Sequence, residues 1–235
     1  MAIKNTLLGG TDWTGTDYLT ATDLNDTMNA MANEVMTLKT FWMHSMLRST
    51  YDDFESYTTN NTISASSLWT SSTSGDITSN TFTCRASTNA GGTSKEGEIT
   101  ASRSNVGGST SGTYTIKAIG LTANKHKFFK IYSTCSGNVS GGVATSRISF
   151  DGGSTTHDLL SISGNVGISA LNTVMVIATG SNAYDCYIAG KKVQTLTDAT
   201  FEIWLQVYVS NSSGLGAQPS VTMYIDDFYE SAGTV

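Results

Sequence analysis

The sequence predicts a mainly β protein: an N-terminal extended segment and one amphipathic, coiled-coil helix, followed by an antiparallel β-sandwich of jelly-roll type. Three observations carry this. From about residue 50 onward, apolar and polar residues alternate with period two in thirteen stretches separated by Gly/Ser/Asn punctuation. Ser and Thr supply 67 of the 235 residues and charged residues only 14%, so solubility rests on neutral hydroxyls. Hydrophobics at 39% leave ample apolar surface to bury, which excludes a disordered chain.

Residues 1–19 are a Gly/Thr/Asp-rich segment without a period of either kind, with Trp13 and Tyr18 as large aromatic groups. Such a segment needs a partner surface to become ordered and reads as a docking peptide. The helix spans 20–48. Thr20 or Thr22 serves as N-cap, and Thr20 with Asp23 forms a capping-box-like pair. Leu24, Met28, Met31, Val35, Leu38 and Trp42 then follow at alternating spacings of four and three, a narrow heptad seam that suits self-association better than packing on the chain's own domain.

The sandwich fills 49–235. Its predicted strands are 52–57, 63–70, 76–85, 97–103, 113–121, 127–133, 144–150, 156–162, 173–179, 183–189, 192–196, 200–210 and 220–230. Asp151-Gly152 after Ile148-Ser149-Phe150 marks a hairpin. The first strand begins Tyr51-Asp52-Asp53-Phe54 and the last contains Tyr224-Ile225-Asp226-Asp227-Phe228, an echo expected of terminal strands that lie side by side in one sheet.

The functional classes narrow by elimination. A net charge of −6 with a pI near 4.9 argues against nucleic acid, which demands a basic footprint. No stretch has the length of a membrane span, and Met1-Ala2-Ile3-Lys4-Asn5 lacks the apolar core of a secretion signal. A composition suited to the outside without that signal fits a particle assembled in a host and released by lysis. Cys84, Cys135 and Cys186 are too widely spaced for a disulfide framework or a zinc site and read as buried thiols. No nucleophile elbow, phosphate loop, zinc-protease helix or Cys-x-x-Cys pair is present, so no catalytic residue and no cofactor is expected.

Two sets of residues remain as candidate sites. If the terminal strands pair, Asp52/Asp53 and Asp226/Asp227 approach one another, and Asp53 and Asp227 are the candidates for a Ca²⁺ site built with loop carbonyls. Aromatic rings on a sandwich face can stack on sugars. Trp69 and Tyr184, beside Ser/Asn-rich turns, are the candidate ligand-binding rings, whereas Trp204 lies in a strand that reads apolar on both faces and is expected in the core.

The paired Asp-Asp-Phe strands resemble those of jelly-roll carbohydrate-binding modules and concanavalin-like domains. The run Trp13-Thr14 to Leu19-Thr20-Ala21-Thr22-Asp23-Leu24-Asn25-Asp26-Thr27 resembles the start of tailed-phage tail-fibre and receptor-binding proteins, where a similar phrase leads into a short trimeric helix. The resemblance implies a virion structural protein: a homotrimeric fibre or spike docked to other virion proteins through 1–19 and attached to a host surface glycan through the sandwich. The alternatives are a capsid decoration protein without a receptor role, or a carbohydrate-binding module or glycan-active domain.

Overall fold

The computed structural model describes residues 48–63, 66–90, 94–103, 110–136, 142–164, 167–197, 201–211 and 218–231. The docking segment and the heptad seam of Leu24, Met28, Met31, Val35, Leu38 and Trp42 lie outside them. Arg48, expected as the last helical residue, already belongs to a strand. Among the described residues there is no helix long and apolar enough to cross a membrane.

Thirteen strands are described: β1 (Arg48–Asp52), β2 (Trp69–Gly75), β3 (Ser79–Arg85), β4 (Glu96–Ser102), β5 (Thr110–Ala118), β6 (Lys127–Ser136), β7 (Val143–Ser149), β8 (His157–Ser163), β9 (Gly167–Gly180), β10 (Ala183–Ile188), β11 (Lys191–Leu196), β12 (Trp204–Asn211) and β13 (Ser220–Ser231). They form two antiparallel sheets. The eight-stranded sheet runs β11-β10-β9-β6-β13-β4-β3, with β1 also paired to β13; the five-stranded sheet runs β2-β5-β12-β7-β8. Numbering β4 to β9, β12 and β13 as eight consecutive strands, the two sheets read 6-3-8-1 and 2-7-4-5. That order is a jelly roll, to which the β10–β11 hairpin and β1–β3 are additions.

Alternation fixes what each sheet buries. Val174, Val176, Ile131, Phe129, Val221, Met223 and Ile225 from the larger sheet meet Ile116, Leu205, Val207, Val209, Ala144 and Ile148 from the smaller one, all essentially inaccessible. Cys84, Cys135 and Cys186 are free thiols in this core, as expected. Burial pushes the thiols of Cys135 and Cys186 up to about 11 and about 12, which keeps them inert.

The terminal strands do pair: Thr50 faces Tyr229 and Asp52 faces Phe228, antiparallel. On this edge of β13, β4 pairs as far as Ile225 and β1 takes over from Phe228. The hand-over is a bulge in which Asp227 adopts a left-handed φ of 54°. The first predicted strand, 52–57, is a correction. Asp52 Oδ1 accepts the Phe54 amide at 2.9 Å, Phe54 turns to a φ of 59°, and the strand ends at Asp52.

Candidate functional site

The two residues singled out from sequence as ligand-binding rings are both core residues. Trp69 is 1% exposed and sits among Phe54, Tyr51, Phe82 and Phe228, with ring centroids 5.6–6.0 Å away. Its Nε1 donates to Asp52 Oδ2 at 2.6 Å, and Tyr57 Oη donates to the same oxygen at 2.9 Å. Burial raises the Asp52 carboxyl above its ordinary range, against the pull of these bonds. Tyr184 is also 1% exposed, stacks on Phe201 at 4.6 Å, and its hydroxyl accepts the Asn124 amide. Both rings are closed off from solvent.

The Ca²⁺ candidates each have protein partners. Asp53 Oδ1 accepts the Glu55 amide; Asp227 accepts Lys130 Nζ at 2.9 Å and the Tyr229 hydroxyl at 2.9 Å. The nearby Glu55 and Tyr57 carbonyls both accept from Lys95 Nζ, at 2.8 Å each. Among the described residues, no group of three or more His, Cys, Asp or Glu side chains is placed to hold a metal ion.

Trp204, expected inside, lies on the outer face of the five-stranded sheet. Along β12, Leu205, Val207 and Val209 are buried, and Trp204, Gln206 and Tyr208 point the other way, half-buried. Strand pairing extends this line into three cross-strand rows. The first is Thr70–Lys117–Trp204–Ser149, the second Ser72–Thr115–Gln206–Arg147–Asp158, and the third Ser74–Thr113–Tyr208–Thr145–Ser161. The overlooked signal was Gln206: an amide midway between two aromatics at period two marks a face that meets water.

Each ring in this face carries a cation. Lys117 Nζ lies 3.8 Å from the Trp204 ring centroid, and the Arg147 guanidinium lies 4.5 Å from that of Tyr208. Trp204 Nε1 donates to Glu202 Oε2 at 2.8 Å, and Gln206 Nε2 donates to Thr115 Oγ1 at 3.4 Å. The six-membered ring rests on Gly153, where a Cβ would come within 2.6 Å of it; the φ of 89° at Gly153 independently requires glycine. The Asp151-Gly152-Gly153 hairpin therefore positions the tryptophan. Arg147 Nε donates to Asp158 Oδ1 at 2.9 Å.

Beyond Arg147 the face opens into a depression of about 670 Å³ between β8 and β11, the edge strands of the two sheets. Arg147, Thr156, His157, Asp158, Ile188, Lys191 and Val193 line it. A polar relay holds this edge. Gln194 Nε2 donates to Asp151 Oδ2, its Oε1 bonds His157 Nε2 at 2.9 Å, and Asp151 Oδ1 accepts Ser149 Oγ and the Thr155 amide. Burial acts upward on the Asp151 carboxyl, but these hydrogen bonds outweigh it and hold the group at about 2.

No family model and no curated protein matches the chain. Among solved structures, similar ones include the carbohydrate-binding module TmCBM61 in complex with β-1,4-galactotriose (15% identity, TM-score 0.30, 70% of this chain and 88% of that one). A Bacillus licheniformis β-glucanase gives 15% identity and a TM-score of 0.35 over 77% and 96% of the two chains. A β-1,3-glucanase from Mycobacterium marinum gives 11% and 0.36 over 79% and 97%. Likenesses this distant assign neither a ligand nor a site to this chain.

Proposed function

We propose that the sandwich is a non-catalytic carbohydrate-binding module whose glycan lies across the outer face of the five-stranded sheet. The observation that supports this most is the Trp204–Gln206–Tyr208 line. Trp204, an aromatic platform, and Tyr208, whose ring lies under the Arg147 guanidinium, flank an amide that can both donate to and accept from sugar hydroxyls, with Thr and Ser side chains in the neighbouring strands. Lys117 has no carboxylate partner among the described residues, and its flexible stem can leave the Trp204 ring when a sugar arrives. Glycoside hydrolysis uses two carboxyl groups about 5–10 Å apart across the bond. The carboxylates at this face are committed to protein partners, Asp158 to Arg147 and Glu202 to the Trp204 indole, so we read the face as a binder. The test is affinity electrophoresis of the full chain in gels containing a panel of plant, microbial and animal polysaccharides. Retardation by at least one of them, lost in Trp204→Ala, supports the reading; no retardation by any contradicts it.

The N-terminal phrase favours one setting for this module. With the heptad seam of Leu24 to Trp42 behind it, the sandwich is the attachment domain of a homotrimeric fibre or spike on a virus particle, and the glycan belongs to a host surface. Light scattering of the full chain tests this. A trimeric mass that Val35→Asp in the seam reduces to a monomer supports it, and a monomeric native chain contradicts it.

A further inference from the structure

We propose that the depression between β8 and β11 seats an acidic sugar, with Arg147 and Lys191 receiving its carboxylate; this rests on the glycan-binding reading above and names the class of glycan. Four observations lead there. Arg147 belongs to both places: its guanidinium covers the Tyr208 ring and it lines the depression, so a glycan on the outer face reaches the cavity by crossing β7 at Arg147, perpendicular to the β12 line. Arg147 uses Nε for Asp158, and among the described residues its two terminal nitrogens, the edge that grips a carboxylate with two parallel bonds, have no protein acceptor.

Lys191 has no carboxylate partner among the described residues, although the chain carries 19 acidic against 13 basic side chains. Its neighbour Lys192 is paired with Asp185 at 2.6 Å, and Arg85, Arg103, Lys127 and Lys130 are likewise paired with acids. The lining of the depression therefore carries two cations, Arg147 and Lys191, against one carboxylate, Asp158, a local excess of positive charge. Finally, the cavity walls suit a pyranose ring: Ile188 and Val193 offer apolar surface to its C–H face, while Thr156 and His157 offer polar groups to its hydroxyls.

The experiment uses the full chain and a panel of uronate- and sialate-bearing polysaccharides, each presented also as its methyl ester, with dextran sulfate as a charge-only probe. Binding is read by biolayer interferometry at low and high salt. The expected result is a preference of about tenfold for at least one free acid over its ester, shrinking as salt rises. Arg147→Gln and Lys191→Gln each remove about tenfold from that acid, Lys191→Gln removes little from the ester, and Lys125→Gln, a cation elsewhere on the molecule, removes nothing. Equal affinity for acid and ester overturns the inference and leaves the glycan-binding reading standing. Binding of dextran sulfate as strong as that of the acid, weakened equally by Lys125→Gln, shows simple charge attraction and also overturns it. Absence of binding to every member, esters included, overturns the inference, and the broader polysaccharide panel above then decides the underlying reading. Lys191 is a surface residue whose replacement leaves the core untouched, so the test does not depend on how Arg147→Gln folds.

Discussion

The two outer faces of the sandwich are made from the same residue vocabulary and differ in what happens to their rings. On the five-stranded side, Trp204 and Tyr208 carry Lys117 and Arg147 over their faces, with an amide between them and a depression across β7, beyond Arg147. On the eight-stranded side, the row Thr83–Glu98–Tyr224–Tyr132–Leu171 contains a tyrosine pair with centroids 6.2 Å apart and a leucine that is 55% exposed. Below that row lie hydroxyls alone: Thr81–Thr100–Thr222–Thr134–Ser169, then Ser79–Ser102–Ser220–Ser136. A hydroxyl array is soluble but undiscriminating, whereas an amide, an indole and unequal charges have direction. Aromatic exposure by itself therefore does not single out a face; the face we propose rests on the polar groups placed between its rings.

The largest effect tests what lies beneath both faces. Asp52→Ala strands the buried Trp69 indole N–H and the Phe54 amide, and we expect a loss of about 2–4 kcal/mol in urea unfolding. Any folded fraction should bind glycan as before, because Asp52 touches neither face; a selective loss of binding at intact stability would show that the core account of Trp69 is mistaken.

Next comes the platform. Trp204→Ala should weaken glycan binding at least thirtyfold, about 2 kcal/mol, with little change in melting temperature. Gly153→Ala should act more mildly, about tenfold, by driving a methyl group into the Trp204 ring from a strained backbone. Calorimetric titration checks both, and a Gly153→Ala protein that binds normally would separate the hairpin from the site.

A pH effect arises on the other sheet and should leave binding alone. Asp226 is 1% exposed and its Oδ2 has no hydrogen-bond partner among the described residues. Burial chiefly, with the charges of Asp227, Glu96 and Glu55, raises its carboxyl to about 7, although the Asp227 amide opposes this. The folded chain thus holds this proton more tightly than the unfolded chain, whose aspartates titrate near pH 4. Stability from this group is complete below about pH 4 and is lost as pH rises through 7. Melting temperature should fall between pH 5 and 8 in the native chain and fall less in Asp226→Asn. Identical pH profiles would show that Asp226 is not the titrating group. The smallest effect is expected from Leu171→Ser, which should leave glycan affinity unchanged; a loss would move the binding face to the eight-stranded sheet.

How much of this was legible beforehand depends on whether the information is local. The pairing of the Asp-Asp-Phe strands was readable because the echo lies in the chain itself, and the buried thiols were readable from spacing and composition. The end of β1 was not, because the Asp52 side chain captures the Phe54 amide and competes with the ladder. The start of β2 was missed for a related reason. Ser66 Oγ accepts the Leu68 and Trp69 amides, and the strand beyond is an exposed serine-rich edge without alternation to detect. The tryptophans were exchanged because burial is set by partners distant in sequence. Trp69 is drawn inward by an acid 17 residues away, and Trp204 is turned outward by aliphatics on the opposite parity of its own strand.

The central claim is tested most directly by following the indole N–H resonances of the isotopically labelled full chain by NMR while a bound glycan is titrated in, with Trp204→Phe identifying the relevant signal. The account predicts that the Trp204 indole shifts and saturates together with the Gln206 side-chain amide, while the buried Trp69 indole stays in place. A stationary Trp204 signal, with shifts confined to Tyr132, Leu171 and Tyr224 backbone amides, would contradict it and place the glycan on the hydroxyl-lined face instead.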